Sequence, residues 1–115
     1  MTSNPKNYKS KKPWIKSEHQ RYFDSSLGEL LKEKRMSLGY SREKLLSDLM
    51  EFYNGNEFIS DDYYGRVERG ERSISAYKLL LLVKFFNYSI QIYNSKNTDE
   101  IEEVTLEHLY SIAKI

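Results

Sequence analysis

Three arginines, Arg66, Arg69 and Arg72, recur at every third position in the stretch ISDDYYGRVERGER, directly behind the paired acids Asp61 and Asp62. A guanidinium carries five donors in a planar fork, which suits phosphate oxygens or the two acceptors on a guanine edge. Such a fork at Arg66 could grip both guanine acceptors, and Arg69 and Arg72 could reach phosphates. An ionised carboxylate only accepts, so Asp61 and Asp62 could read the amino group of cytosine but would repel phosphate. Each group also has a plainer use. The aspartates can stabilise the first turn of a helix by about 0.3 to 1 kcal/mol each. The arginines can form a solvated face paired with Glu68 and Glu71, and Tyr63 can stack on a sugar or support its own helix. No catalytic constellation competes with these residues. The chain has no cysteine, His19 and His108 are far apart in sequence, and neither a phosphate-cradling glycine loop nor a metal-ligand spacing occurs. Enzymatic activity, a metal site and a cofactor are therefore not expected.

To present those side chains, the stretch must be a helix with one buried and one displayed face. Ser60 can cap it, Asp61 and Asp62 face its positive end, and Gly70 supplies the left-handed turn that stops it. Tyr64 and Val67 then share the inner face, leaving Asp61, Asp62, Gly65, Arg66 and Arg69 on the outer one. Two helices are expected before it. Leu27, Leu30, Leu31, Lys34 and Leu38 lie at helical spacing behind a cap at Ser25 or Ser26 and end at Gly39. Ser41 caps the second, whose inner face is Leu45, Leu46 and Leu49. Its capping box is incomplete, because Lys44 stands where an acid or amide would complete it. Asn54, Gly55 and Asn56 read as a loop. Ser75 can open a fourth helix with Leu79, Leu82, Val83 and Phe86 as its core stripe. Leu80, Leu81 and Phe85 make that helix apolar on nearly every side, so one face must be covered by the chain ends or by a second copy. Beyond Asn87 the alternation of Tyr88, Ile90 and Ile92 predicts a short strand, with Thr105 to Ala113 as a final helix. A hairpin of Ile90–Ile92 with Val104–Leu106 is the alternative.

The chain of 115 residues has room for one core, and its net charge of +1 conceals a gradient. Residues 1–26 carry +4, residues 27–89 are neutral and residues 90–115 carry −3. The basic end, with Lys6, Lys9, Lys11 and Lys12, reads either as a phosphate-touching arm or as a solvated tail. Trp14, Ile15, Tyr22 and Phe23 could pin residues 14–24 onto the domain. No apolar run approaches the roughly 20 residues of a membrane helix, and no secretory signal is visible, which makes the cytoplasm the expected compartment and a membrane partner unexpected.

Taken in order, Gly28, Leu31, Lys32, Arg35, Gly39, Ser41 and Leu45, then Ser60, Tyr64, Val67, Glu68 and Gly70, resemble the helix-turn-helix domain of the Cro and C1 phage repressors and their bacterial relatives, the XRE family. The resemblance runs from Gly28 to Phe86. It implies an all-α, compact four- to five-helix, lambda-repressor-like domain at 25–89, with a flexible basic arm at 1–24 and a C-terminal extension at 90–115 that could serve dimerisation. It also implies that Arg35 and Glu68 form a structural ion pair, that Arg42 touches a phosphate, and that the outward residues of the third helix face base edges. Two departures stand out. About eight extra residues, roughly Glu51 to Phe58, separate the second and third helices and could displace the third. Asp61 and Asp62 occupy positions that commonly hold glutamine, asparagine or arginine.

The expected function is a sequence-specific regulator of transcription, of repressor type, binding double-stranded DNA as a homodimer on a two-fold site. The residues that would carry it are Arg42, Ser60, Asp61, Asp62, Tyr63, Arg66, Arg69 and Arg72. The alternative is a protein-interaction module on the same fold with weak or lost DNA reading, in which case the partner is a protein.

Overall fold

The computed structural model describes residues 15–113 as five α-helices. The lysine-rich stretch Met1 to Pro13 and Trp14 lie outside the described residues. Helix α1 spans Glu18–Ser37, and its cap is Ser17, whose hydroxyl accepts from the Gln20 amide. Ser25 and Ser26, the expected caps, lie inside the helix, so residues 18–24 belong to it rather than to a flexible arm. The physical reason is Asp24, buried on the inner side of this extension. Its carboxylate accepts from Lys16 at 2.6 Å, Gln20 at 2.9 Å and Ser73 at 2.7 Å, and the last ties the start of α1 to the segment between residues 68 and 76. Of the apolar residues expected to pin this segment, Phe23 packs against the core, while Ile15 and Tyr22 are exposed.

Helices α2 (Arg42–Phe52) and α3 (Asp61–Glu68) each start on a serine, Ser41 and Ser60, whose hydroxyl accepts the third helical amide. The first three helices all stop in the same way. In α3 the Gly70 amide bonds the Val67 carbonyl and the Glu71 amide bonds the Arg66 carbonyl, with Gly70 at φ +77°. In α2 the left-handed position is taken by Asn54 at φ 56°, a residue whose side chain tolerates that conformation better than most.

The long connection between α2 and α3 leaves α3 in contact with the core. Tyr53 donates to the Leu81 carbonyl at 2.7 Å and Tyr77 to Glu57 at 2.7 Å, so the loop is moored to helix α4 (Ala76–Lys96) before Ile59 re-enters the core. With the longer connection in place, α3 still packs on α1 and α2. Leu27, Leu31, Leu45, Leu49, Tyr64, Val67, Leu82 and Phe86 converge in one core.

The C-terminal expectation needs correction. No strand forms at residues 88–92: α4 continues to Lys96, with Ile90 buried and Tyr88 and Ile92 exposed. Ile90 lies one turn beyond Phe86 and two beyond Leu82, so it extends the same core stripe. Nor does a hairpin form. Residues 97–105 run back along α4 as an extended strap, clamped by side-chain amides. Asn87 donates to the Val104 carbonyl at 2.9 Å and accepts from its amide at 2.8 Å. Asn94 does the same with Ile101, at 2.9 and 2.8 Å. Helix α5 (Leu106–Ala113) follows, its first turn bonded to the Thr105 hydroxyl, and packs on α1. Among the described residues no helix is long and apolar enough to cross a membrane.

Candidate nucleic-acid interface

Helix α3 is seated against α1 by backbone contact. A Cβ at Gly28 would overlap the carbonyl oxygens of Val67 and Glu68, so only glycine allows this approach. The angle of the seat is set by charge. Arg35 donates through Nε to Glu68 Oε2 at 2.7 Å and through Nη2 to Oε1 at 3.0 Å, and its remaining nitrogen bonds the Tyr40 carbonyl at 2.9 Å. One guanidinium thus joins the end of α1, the turn into α2 and the end of α3. The Glu68 hydrogen bonds raise the Arg35 pKa against the opposing effect of burial. Below the pair lies Tyr64, whose buried hydroxyl completes no hydrogen bond among the described residues. Burial, followed by the neighbouring Glu68 carboxylate, pushes its pKa far up, so it stays neutral.

The outer face of α3 carries Asp61, Asp62 and Arg66, with Arg69 at its C-cap, all exposed. Gly65, expected on this face, is buried instead: the Arg42 guanidinium lies across it. Arg42 reaches from the start of α2 to the start of α3 and faces Asp61, Nε to Oδ1 at 3.3 Å. Arg66 faces Asp62 one turn back, at 3.2 Å. Arg69 meets Glu71 through two contacts of 3.1 and 3.3 Å, which raises the arginine and lowers the glutamate. Arg72 has an aromatic neighbour: its guanidinium sits 5.2 Å from the Tyr63 ring centre, and Lys78 lies 4.4 Å from the same ring. Ser60 uses its hydroxyl to accept from the Tyr63 amide.

Asp61, Asp62, Arg66 and Arg69 are exposed on α3 and its C-cap, and Arg42, Arg66 and Arg69 are each matched to a carboxylate of this chain. Such exposed pairs are weak, so a phosphate can displace the carboxylate with little loss. Beside them opens a cleft of about 690 Å³ between α1, α2 and α3, lined by charges of both signs, Lys32, Arg42 and Arg69 with Glu29 and Glu68. Three contributors escaped the sequence reading. Lys78 lies on a helix whose apolar stripe dominates its pattern, Asp24 falls within the expected arm, and Asn87 and Asn94 flank the expected strand. The spacing of those two asparagines by seven residues, two helical turns, was the available signal.

A family model described as Helix-turn-helix matches residues 31–93, from the middle of α1 through most of α4. No curated protein and no solved structure matches the chain.

Proposed function

We propose, proceeding from the fact that this chain belongs to the Cro/C1-type helix-turn-helix family of DNA-binding regulators, that it is a repressor-type protein that reads a two-fold DNA site with the face of α3. The observation that carries this reading is a rigidly seated helix whose outer side offers Asp62 and Arg66. Beside them are Arg42 and Arg69, and Lys32 across the cleft. Arg66 can donate to both guanine acceptors while Asp62 accepts from a cytosine amino group, a division of labour suited to a G·C step. Asp61, engaged by Arg42, is better placed to hold that arginine for a phosphate than to read a base. Arg69, Arg72 and Lys78 supply further positive charge along the backbone.

A homodimer would present two such helices about one helical turn of DNA apart. Its contact surface would draw on the exposed Tyr77 and Leu80 of α4 together with Leu106 and Tyr110 of α5. Binding of duplex from the protein's own upstream region, followed by fluorescence anisotropy across a salt series, tests the reading. The expected preference over unrelated duplex is about 10³-fold or more, with affinity falling as salt rises. Equal and weak binding of both duplexes would sink it.

One observation favours the second reading, a protein-interaction module. The arginines of the face are already engaged by Asp61, Asp62 and Glu71, which keeps the surface nearly neutral. Replacing Arg66 and Arg69 together by alanine separates the two, since a DNA reader loses affinity and an interaction module does not.

A further inference from the structure

A second cleft, of about 290 Å³, opens where the end of α2 packs on α4. Tyr40, Phe52, Phe85 and Tyr88 form its walls, and Asp48 and Glu51 stand at its edge. The rings are in mutual contact. Phe52 lies edge-on to Phe85 with centroids 5.5 Å apart and tilted to Tyr88 at 4.9 Å, and Tyr40 stacks on Phe85 at 6.3 Å. Aromatic faces are electron-rich, and several of them around one opening attract a cation.

The two carboxylates sharpen this. Both lie near the C-terminal end of α2, where the unpaired carbonyls already give a partial negative charge and where lysine or arginine would be the stabilising choice. The last turn of α2 contains no basic residue. Lys44 offsets Asp48 from one turn back, at 3.0 Å. The Glu51 carboxylate forms no hydrogen bond or ion pair among the described residues. A helix end with two acids and no basic residue in its last turn is locally unfavourable, and local conflicts of this kind collect at functional sites. All three features of the cleft, its rings, its carboxylates and the helix end, favour the same ligand charge.

We propose that this cleft binds a small organic cation, a protonated primary amine or a quaternary ammonium. Its volume is near the lower bound of about 300 Å³ for small-molecule sites, which suits a ligand of a few carbons. The charged head would sit between Glu51, Asp48 and the ring of Tyr88, and its alkyl part against Ile92. Glu51 lies roughly 14 Å along α2 from Arg42, while Tyr40 brings the other wall of the cleft to the turn that Arg35 holds, so the cation is titrated without DNA present.

The test is a titration of the full chain with n-butylammonium chloride, with 1-butanol as the neutral control and ionic strength held constant with sodium chloride. The readout is the amide resonances of Tyr40, Glu51 and Ser89 in ¹H–¹⁵N spectra. Saturable shifts are expected with the cation and not with the alcohol. Binding should weaken by about tenfold in Tyr88→Leu, which keeps apolar bulk but removes the ring. A similar loss is expected in Glu51→Gln, an exposed substitution that leaves the fold and its spectral dispersion intact. Absence of saturable shifts, equal shifts with butanol, or undiminished binding in Glu51→Gln would overturn the proposal.

Discussion

Helix α3 and the strap at residues 97–105 are both short segments laid against longer helices, and they are held by opposite means. The seat of α3 combines a backbone approach that only Gly28 permits with a charged fork between Arg35 and Glu68. The strap is held by neutral amides, Asn87 and Asn94, each of which satisfies both the donor and the acceptor of one backbone residue. The difference suits their surroundings. A helix that must meet a polyanion at a defined angle is fixed from beneath by a directional ion pair, leaving its outer charges in weak, exchangeable partnerships. A strap that only covers a helix needs its backbone groups satisfied, and a side-chain amide does that without any charge for salt to screen.

The comparison can be broken first at the ion pair. Arg35→Met leaves Glu68 largely buried without its partner, and urea unfolding should report a loss of about 3 kcal/mol, at the low end for buried pairs because Arg35 keeps some solvent contact. Replacing both residues by apolar ones should recover much of that stability while impairing DNA binding. At the strap, Asn87→Leu orphans the amide and carbonyl of Val104. A loss of about 2 kcal/mol is expected, nearly the same at low and high salt, with α5 losing hydrogen-exchange protection before α3 does. On the outer face, Arg66→Ala should weaken binding of the protein's own site by about tenfold while leaving the urea midpoint almost unmoved.

The smallest expected effect concerns Asp24. Burial alone would raise its carboxyl, but hydrogen bonds from Lys16, Ser73 and Gln20 outweigh it and hold the pKa below the usual value. A lowered folded-state pKa contributes stability that is fully present above the unfolded value of about 3.9. That stability is lost as pH falls through the lower folded value. Unfolding followed from pH 6 down to pH 2 should therefore show a steeper acid loss for the parent chain than for Asp24→Asn.

Much of this architecture was legible in the residues. Ser41, Ser60 and Ser75 mark their helix starts, and Gly39 and Gly70 mark helix ends, because capping and left-handed turns are local chemistry. The misreadings share one cause. Tyr88, Ile90 and Ile92 alternate as a strand would, and only the core beneath Ile90 makes that stretch helical. Residues 18–24 read as part of a flexible arm because the partner that anchors Asp24, Ser73, lies far along the chain. Gly65 falls on the outer face by helical spacing, and only the fold brings Arg42 over it.

By itself the sequence determined the helical class, the caps, the spacing of the arginines behind two aspartates and the resemblance that pairs Arg35 with Glu68. Only the tertiary structure decided which carboxylate Arg42, Arg66 and Arg69 face, that the long loop is moored by Tyr53 and Tyr77, and that two asparagines of a continued helix clamp the strap at residues 97–105. Periodicity and capping depend on neighbours within one or two turns, which a sequence displays directly. The partner of a charge or an amide depends on which distant residue the fold brings within about 3 Å, and that is settled only when the core closes.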